Sequence, residues 1–272
     1  MKPNTTNSDY WNEMCGTTTA KYLGINDFTF ESLKKFDDYY LSYYPYLLDK
    51  YIPLIDLRNK RILEIGLGYG TISQKLVEAD SLYEGLDIAD GPVNLVNERL
   101  DMIASSCRAS KGDILNSGLE ETSYDYIIAI GCLHHTGDLK RAINECFKLL
   151  KNGGKLIFMV YYTYSYRMIL RAPIHTTKYF FKELFGNNGL SSGNPSQSTR
   201  GLYDHTQEHS SPPHTDFISK RSLKMFLKDF SEIQIQTENL GFRGSIRETL
   251  LNSYLSRTFG LDLYVVATKG EK

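Results

Sequence analysis

The chain is short of cysteine, of net charge and of long apolar runs, and each shortage excludes something. Four cysteines (Cys15, Cys107, Cys132 and Cys146) are too scattered for a disulfide framework or a paired-cysteine metal site. They suit a reducing compartment, and a cytoplasmic location is expected. Basic residues number 31 against 32 acidic ones, which leaves no global pull toward nucleic acid or a membrane. No apolar run approaches the roughly 20 residues that a membrane span requires. The opening "MKPNTTNSDYW" lacks the apolar core of a signal peptide. There is no internal repeat, and nothing sets an oligomeric state.

What is present is a chain of 272 residues, long enough for one large α/β domain or a core with an elaborated cap. Tyrosine is in excess, with 20 residues crowded into "FDDYYLSYYPYLLDKY" and "MVYYTYSYRM". Its ring and hydroxyl together suit binding surfaces, and they suit helix packing as well.

Residues 1–59 read as a helical N-terminal piece, with apolar positions at helical spacing until Pro45 interrupts them. The texture then changes. "RILEI" is a short buried strand followed by a glycine loop, and "TISQKLVEA" is a helix with Ile72, Leu76 and Val77 on one face. "LYEGLD" is a second strand, and Pro92 stands where the next helix begins. A weak third strand precedes "KGDIL". "YDYIIAI" is a buried fourth strand, "DLKRAINECFKLL" a helix closed by Gly153 and Gly154, and "KLIFMVYY" a fifth strand. From Tyr162 to Phe230 the alternation stops, and strands return in "EIQIQT" and "LDLYVVAT". The pattern predicts a doubly wound, mostly parallel sheet of seven strands, with an insertion at about 161–230 between strands 5 and 6.

The glycine loop poses the question of ligand. A nicotinamide fingerprint spaces its glycines G-x-G-x-x-G. Here Gly66 and Gly68 fit, but Thr71 holds the third position and the glycine falls early, at Gly70, giving E-x-G-x-G-x-G from Glu64. The loop also lacks the lysine of a P-loop. Asp87 ends the second strand about 20 residues after Gly66, where an acid accepts bonds from both ribose hydroxyls. Glu64 is awkward beside a pyrophosphate and natural beside an ammonium group. In "GDIL", Asp113 can accept from an adenine amino group while the Ile114 backbone reads the ring edge. A phosphate-free, cationic nucleoside fits this ring of acids.

Together "RILEIGLGYG", "GLDI", "GDIL" and "YDYIIAIGCLHHTGDLKRAINECFKLLKNGGKLIFMVY" resemble a class I (Rossmann-like) S-adenosylmethionine-dependent methyltransferase. The resemblance is strong over about 60–160 and extends more weakly to "WNEMCGT" and "GLDLYVVATKG". It implies S-adenosyl-L-methionine as cofactor. Gly66, Gly68 and Gly70 would let the backbone approach it; Glu64 would hold its amino group, Asp87 its ribose, and Asp113 and Ile114 its adenine, with Ile88 and Gly131 beside them. Leu67 stands where the family often has Cys or Ala.

Methyl transfer aligns a nucleophile with a sulfonium methyl and sometimes removes a proton. The fourth strand delivers "GCLHHTGD" to the carboxyl edge of the sheet, so His134 and His135 are the candidate bases. Tyr161 and Tyr162 end the fifth strand near the same rim and are expected to shape the pocket. In the insertion, His205, His209 and His214 invite a metal reading, but Pro212 and Pro213 break the spacing and no metal site is expected. Residues 186–217 are instead expected to order over the acceptor, with Arg200, Tyr203 and His205 among the contacts. The organisation expected is a helical cap at 1–59 and a methyltransferase domain at 60–272, acting on the oxygen or nitrogen of a small-molecule acceptor. An RNA or protein methyltransferase, a noncatalytic cofactor-binding relative and a nicotinamide oxidoreductase are the alternatives. Near-neutral charge argues against RNA, the retained glycines and acids against a retired site, and Thr71 and Glu64 against nicotinamide.

Overall fold

The computed structural model describes residues 5–14, 17–190, 195–204, 211–241 and 254–271. Helices α1 (Thr5–Met14), α2 (Thr17–Tyr22) and α3 (Phe30–Tyr43) open the chain. Thr29 caps α3 by accepting from the Ser32 amide at 3.3 Å. The helix ends two residues before Pro45, which cannot supply the next amide.

The alternating unit follows as β1 (Arg61–Ile65), α4 (Thr71–Glu78), β2 (Leu82–Asp87), α5 (Asp90–Met102), β3 (Arg108–Lys111), β4 (Tyr124–Ile130), α6 (Leu139–Leu149) and β5 (Leu150–Tyr162). The insertion carries α7 (Tyr166–Arg171), α8 (Pro173–Leu184) and α9 (Gln197–Arg200). It closes with β6 (Phe217–Ile218), and α10 (Lys220–Phe226), β7 (Glu232–Glu238) and β8 (Asp262–Thr268) complete the chain. Sheet order is β3-β2-β1-β4-β5-β8-β7, parallel except for β8, which runs antiparallel to both neighbours.

Side chains alternate between two cores, as the period of two in a strand requires. Leu63, Ile127, Phe158 and Val160 face α6 and α10, while Ile62, Ile128, Ile157 and Tyr161 face α4, α5 and residues 47–57. In α6 the buried positions Leu139, Ala142, Ile143, Cys146 and Leu149 form one stripe, capped by Asp138.

Two details differ from the sequence reading. Gly153 and Gly154 do not close α6; the helix has ended by Leu150, and both glycines lie inside β5, where its register with β4 shifts. Gly153 has φ +74°, and a Cβ on Gly154 would come within 2.9 Å of the Lys151 carbonyl, so only glycine fits this bulge. The sheet also has an eighth strand. β6 pairs with Tyr161 and Tyr162 beyond the point where β4 stops, and two residues are too few to show a period.

Candidate active site

The carboxyl ends of β1, β2 and β4 surround a cavity of about 140 Å³. Its floor is the glycine loop. Gly68 (φ +54°) meets no atom within 4 Å of an added Cβ, so its backbone faces open space, whereas a Cβ on Gly66 would lie 2.4 Å from that of Cys132. Gly70 has another job. It starts α4 and packs against Arg99 and Val96 of α5, away from the cavity.

Asp87 is buried at the end of β2 and lines the cavity. Its Oδ2 accepts from the Leu67 amide at 2.8 Å and its Oδ1 from the Ala89 amide at 2.9 Å. Burial pushes its pKa up to about 6, and these backbone donors limit the rise. Asp113 and Ile114 line the wall after β3, with Asp113 Oδ1 accepting from the Leu115 amide at 2.9 Å. Ile88 and Gly131 complete the wall.

Glu64 does not reach the cavity lining. It is buried beside the loop, where its Oε2 accepts from Ser73 Oγ at 2.5 Å and Tyr83 OH at 2.8 Å. Burial raises its pKa to about 7.

The histidines separate. His134 is wholly buried between the rings of His135 (4.0 Å) and Tyr161 (4.1 Å) and is absent from the cavity wall. Burial, then His135, hold its pKa well below the ordinary value, which favours the neutral ring. His135 lines the cavity, its ring against Trp11 at 4.6 Å. Its Nδ1 lies 2.8 Å from the His214 carbonyl, an acceptor only, so Nδ1 carries the hydrogen. Its Nε2 lies 3.4 Å from Asp204 Oδ2, which also accepts from Tyr161 OH at 2.6 Å.

The acceptor residues expected in the insertion divide similarly. Tyr203 stacks on Tyr161 at 4.2 Å and bonds Ser165 at 2.6 Å. Arg200 donates to the Pro195 and Pro212 carbonyls, fastening the loop to itself. His205 and His209 lie outside the described residues, and among those described no cluster is placed to hold a metal ion.

Sequence reasoning missed several parts. Asn7 and Trp11 of α1 line the cavity. Asn7 Nδ2 donates to the His135 carbonyl at 3.1 Å, Ser8 Oγ to the Ile88 carbonyl at 2.9 Å, and Asn12 Oδ1 accepts from the Gly91 amide at 2.8 Å. Also missed is a buried ion pair, Arg99 Nη2 to Asp37 Oδ1 at 2.9 Å, shared with Thr71 Oγ1 at 2.6 Å. It ties α3 to α4 and α5 beside the loop. Helix spacing puts Asp37 on the apolar face with Leu33 and Phe36, and a charged residue among buried positions was the available signal.

An open sheet of this order, with a glycine loop after β1, an acid ending β2 and another after β3, defines the nucleoside-binding Rossmann-like class. Residues 63–158 match the family described as "Methyltransferase domain". A ubiquinone biosynthesis O-methyltransferase of Coxiella burnetii is 28% identical over 104 residues, covering 38% of this chain and 44% of that enzyme. A highly reducing polyketide synthase of Aspergillus niger is 36% identical over 115 residues, covering 36% of this chain and 4% of that protein. The chain thus spans less than half the length of either curated relative. The solved structure of a SAM-dependent methyltransferase from Methanosarcina mazei superposes with a TM-score of 0.56 at 17% identity, over 81% of this chain and 98% of that one, a likeness of fold. Residues 63–158 thus carry a methyltransferase domain, set in a fold shared with S-adenosylmethionine-dependent methyltransferases.

Proposed function

We propose that this chain transfers a methyl group from S-adenosylmethionine to the oxygen or nitrogen of a small-molecule acceptor. The observation that carries the reading is His135, which lines the nucleoside cavity and faces Asp204 of the insertion. The donor set suits the cofactor. Among the described residues the cavity wall has two acids, Asp87 and Asp113, and no lysine or arginine, which disfavours a phosphate and favours a phosphate-free cation. Asp87 would hold the ribose, the edge of Asp113 and Ile114 the adenine, and the Gly66–Gly68 backbone the methionine portion, with Glu64 acting on its charge from behind the loop. When bound, S-adenosylmethionine supplies an electrophilic methyl group on a sulfonium.

This chain's own residues then position the acceptor and manage its proton. With Nδ1–H fixed on the His214 carbonyl, His135 keeps its Nε2 lone pair, buried toward Asp204, and this atom would take the acceptor's proton once the acceptor enters that contact. Asp204 Oδ2 stabilises the charge that results, and Tyr161 OH orients Asp204. The N-terminal helices and the insertion act as the two sides of a cap that excludes water. The test is calorimetry with adenosylhomocysteine and with NAD. The reading requires the first to bind; binding of NAD alone would overturn it. His135→Gln should lower turnover by about 10²–10⁴-fold while adenosylhomocysteine still binds, and undiminished turnover would remove His135 as the base.

A further inference from the structure

Helix α8 is inside out. Its packed face is polar: Thr176, Tyr179 and Glu183 are buried, with Tyr179 OH donating to the Gly189 carbonyl at 2.7 Å and Glu183 Oε1 accepting from Ser222 Oγ at 2.6 Å. Its outward face is apolar. Ile174 (72% exposed), Phe181 (50%) and Phe185 (79%), the last at the C-cap, recur seven and four residues apart, flanked by Phe180, Leu184 and Leu170 of α7. A water-facing helix normally has the reverse pattern, and an apolar patch of this extent marks an interaction surface.

Charge identifies the partner. Between residues 163 and 190 the acid is Glu183, turned inward, while Arg171, Lys178 and Lys182 are exposed and make no ion pair among the described residues. A groove lined by Arg171, His175 and Lys178 runs beside Ile174. Apolar side chains framed by cations alone match an anionic lipid surface, with rings among the acyl chains and basic groups at the phosphates. A second copy matches poorly, because a two-fold contact sets the same cations against each other. We propose that the outward face of α7 and α8 docks this chain on an anionic membrane, as a surface helix and not as a span. Near-neutral total charge is no obstacle, since the cations are concentrated on one face. The inference does not depend on the acceptor or on the methyl-transfer reading.

Cosedimentation with vesicles tests it, comparing phosphatidylcholine alone with phosphatidylcholine plus phosphatidylglycerol. The chain should partition onto the anionic vesicles, and more weakly as salt rises. The double variants Phe181→Ser/Phe185→Ser and Lys178→Glu/Lys182→Glu should each lower that partition by at least about tenfold. All four positions are exposed, so melting temperature and adenosylhomocysteine affinity should stay unchanged. The proposal is overturned by absent binding to the anionic vesicles or by variants that bind as well as the parent. It is equally overturned by a wild-type dimer that the phenylalanine variant loses, which would give the face to a second copy.

Discussion

Replacing Asp87 by asparagine probes the site at the group with the most defined environment. Each carboxylate oxygen already accepts one backbone amide, from Leu67 and from Ala89, and keeps a second lone pair for a ribose hydroxyl. Asparagine retains one acceptor oxygen and sets an NH2 against the other amide. One ligand bond is lost and the other becomes neutral. A charge-assisted hydrogen bond contributes about 1.5–3 kcal/mol and a neutral one about 1, so the loss in binding is about 2–5 kcal/mol. That corresponds to roughly 30- to 4,000-fold in adenosylhomocysteine affinity. Calorimetry at pH 8 on a variant shown folded by circular dichroism measures it. A pH series adds an independent check. The raised pKa of about 6 means that parent affinity should fall as pH drops through that value, while the variant should lose this component of the fall. A folded variant with unchanged affinity would refute the ribose assignment.

Other outcomes follow from the same geometry. Gly68→Val should abolish adenosylhomocysteine binding, because a branched side chain fills cavity space and the φ of +54° disfavours it, and calorimetry alongside a melting curve separates the two effects. Asp37→Ala should destabilise the fold by about 3–5 kcal/mol, since it leaves Arg99 charged and buried, and urea unfolding reads this directly. Stability of the empty protein should decline as pH rises from 5 to 8. Glu64 and Asp262 have pKa values raised to about 7, and Asp87 and Asp216 to about 6, so their contribution is present below the ordinary carboxylate range and lost through pH 6–7. Melting temperatures across that range, with Glu64→Gln showing a smaller slope, check it.

The sheet was legible because its central strands are buried on both faces. "RILEI" and "YDYIIAI" are short, mostly apolar and buried runs, each followed at once by glycine. The floor of the cavity was legible for a related reason: Gly66, Gly68 and Asp87 sit at fixed distances from the strand ends, so local sequence reports their place. The roof was not. Trp11 meets His135, and Asp37 meets Arg99, only because separate helices cross the sheet edge, and nothing local to either residue encodes that crossing. The paired histidines show the same limit at closer range. "HH" is symmetric as sequence, yet the short turn at Leu133–His135 sends one ring into the core and the other to the cavity.

Helix α1 grips the sheet through side chains bonded to residues 128, 80 and 79 positions away. Those partner atoms come together only in the assembled sheet, so α1 is expected to dock late in folding. Three such bonds, each worth about 1 kcal/mol net, hold it far less firmly than the sheet is held. Its amides therefore exchange with solvent by local opening, without global unfolding. The same opening uncovers the cavity that Asn7 and Trp11 line. A molecule seated beneath them opposes the opening, so exchange protection of residues 5–14 becomes a gauge of occupancy that needs no knowledge of the methyl acceptor.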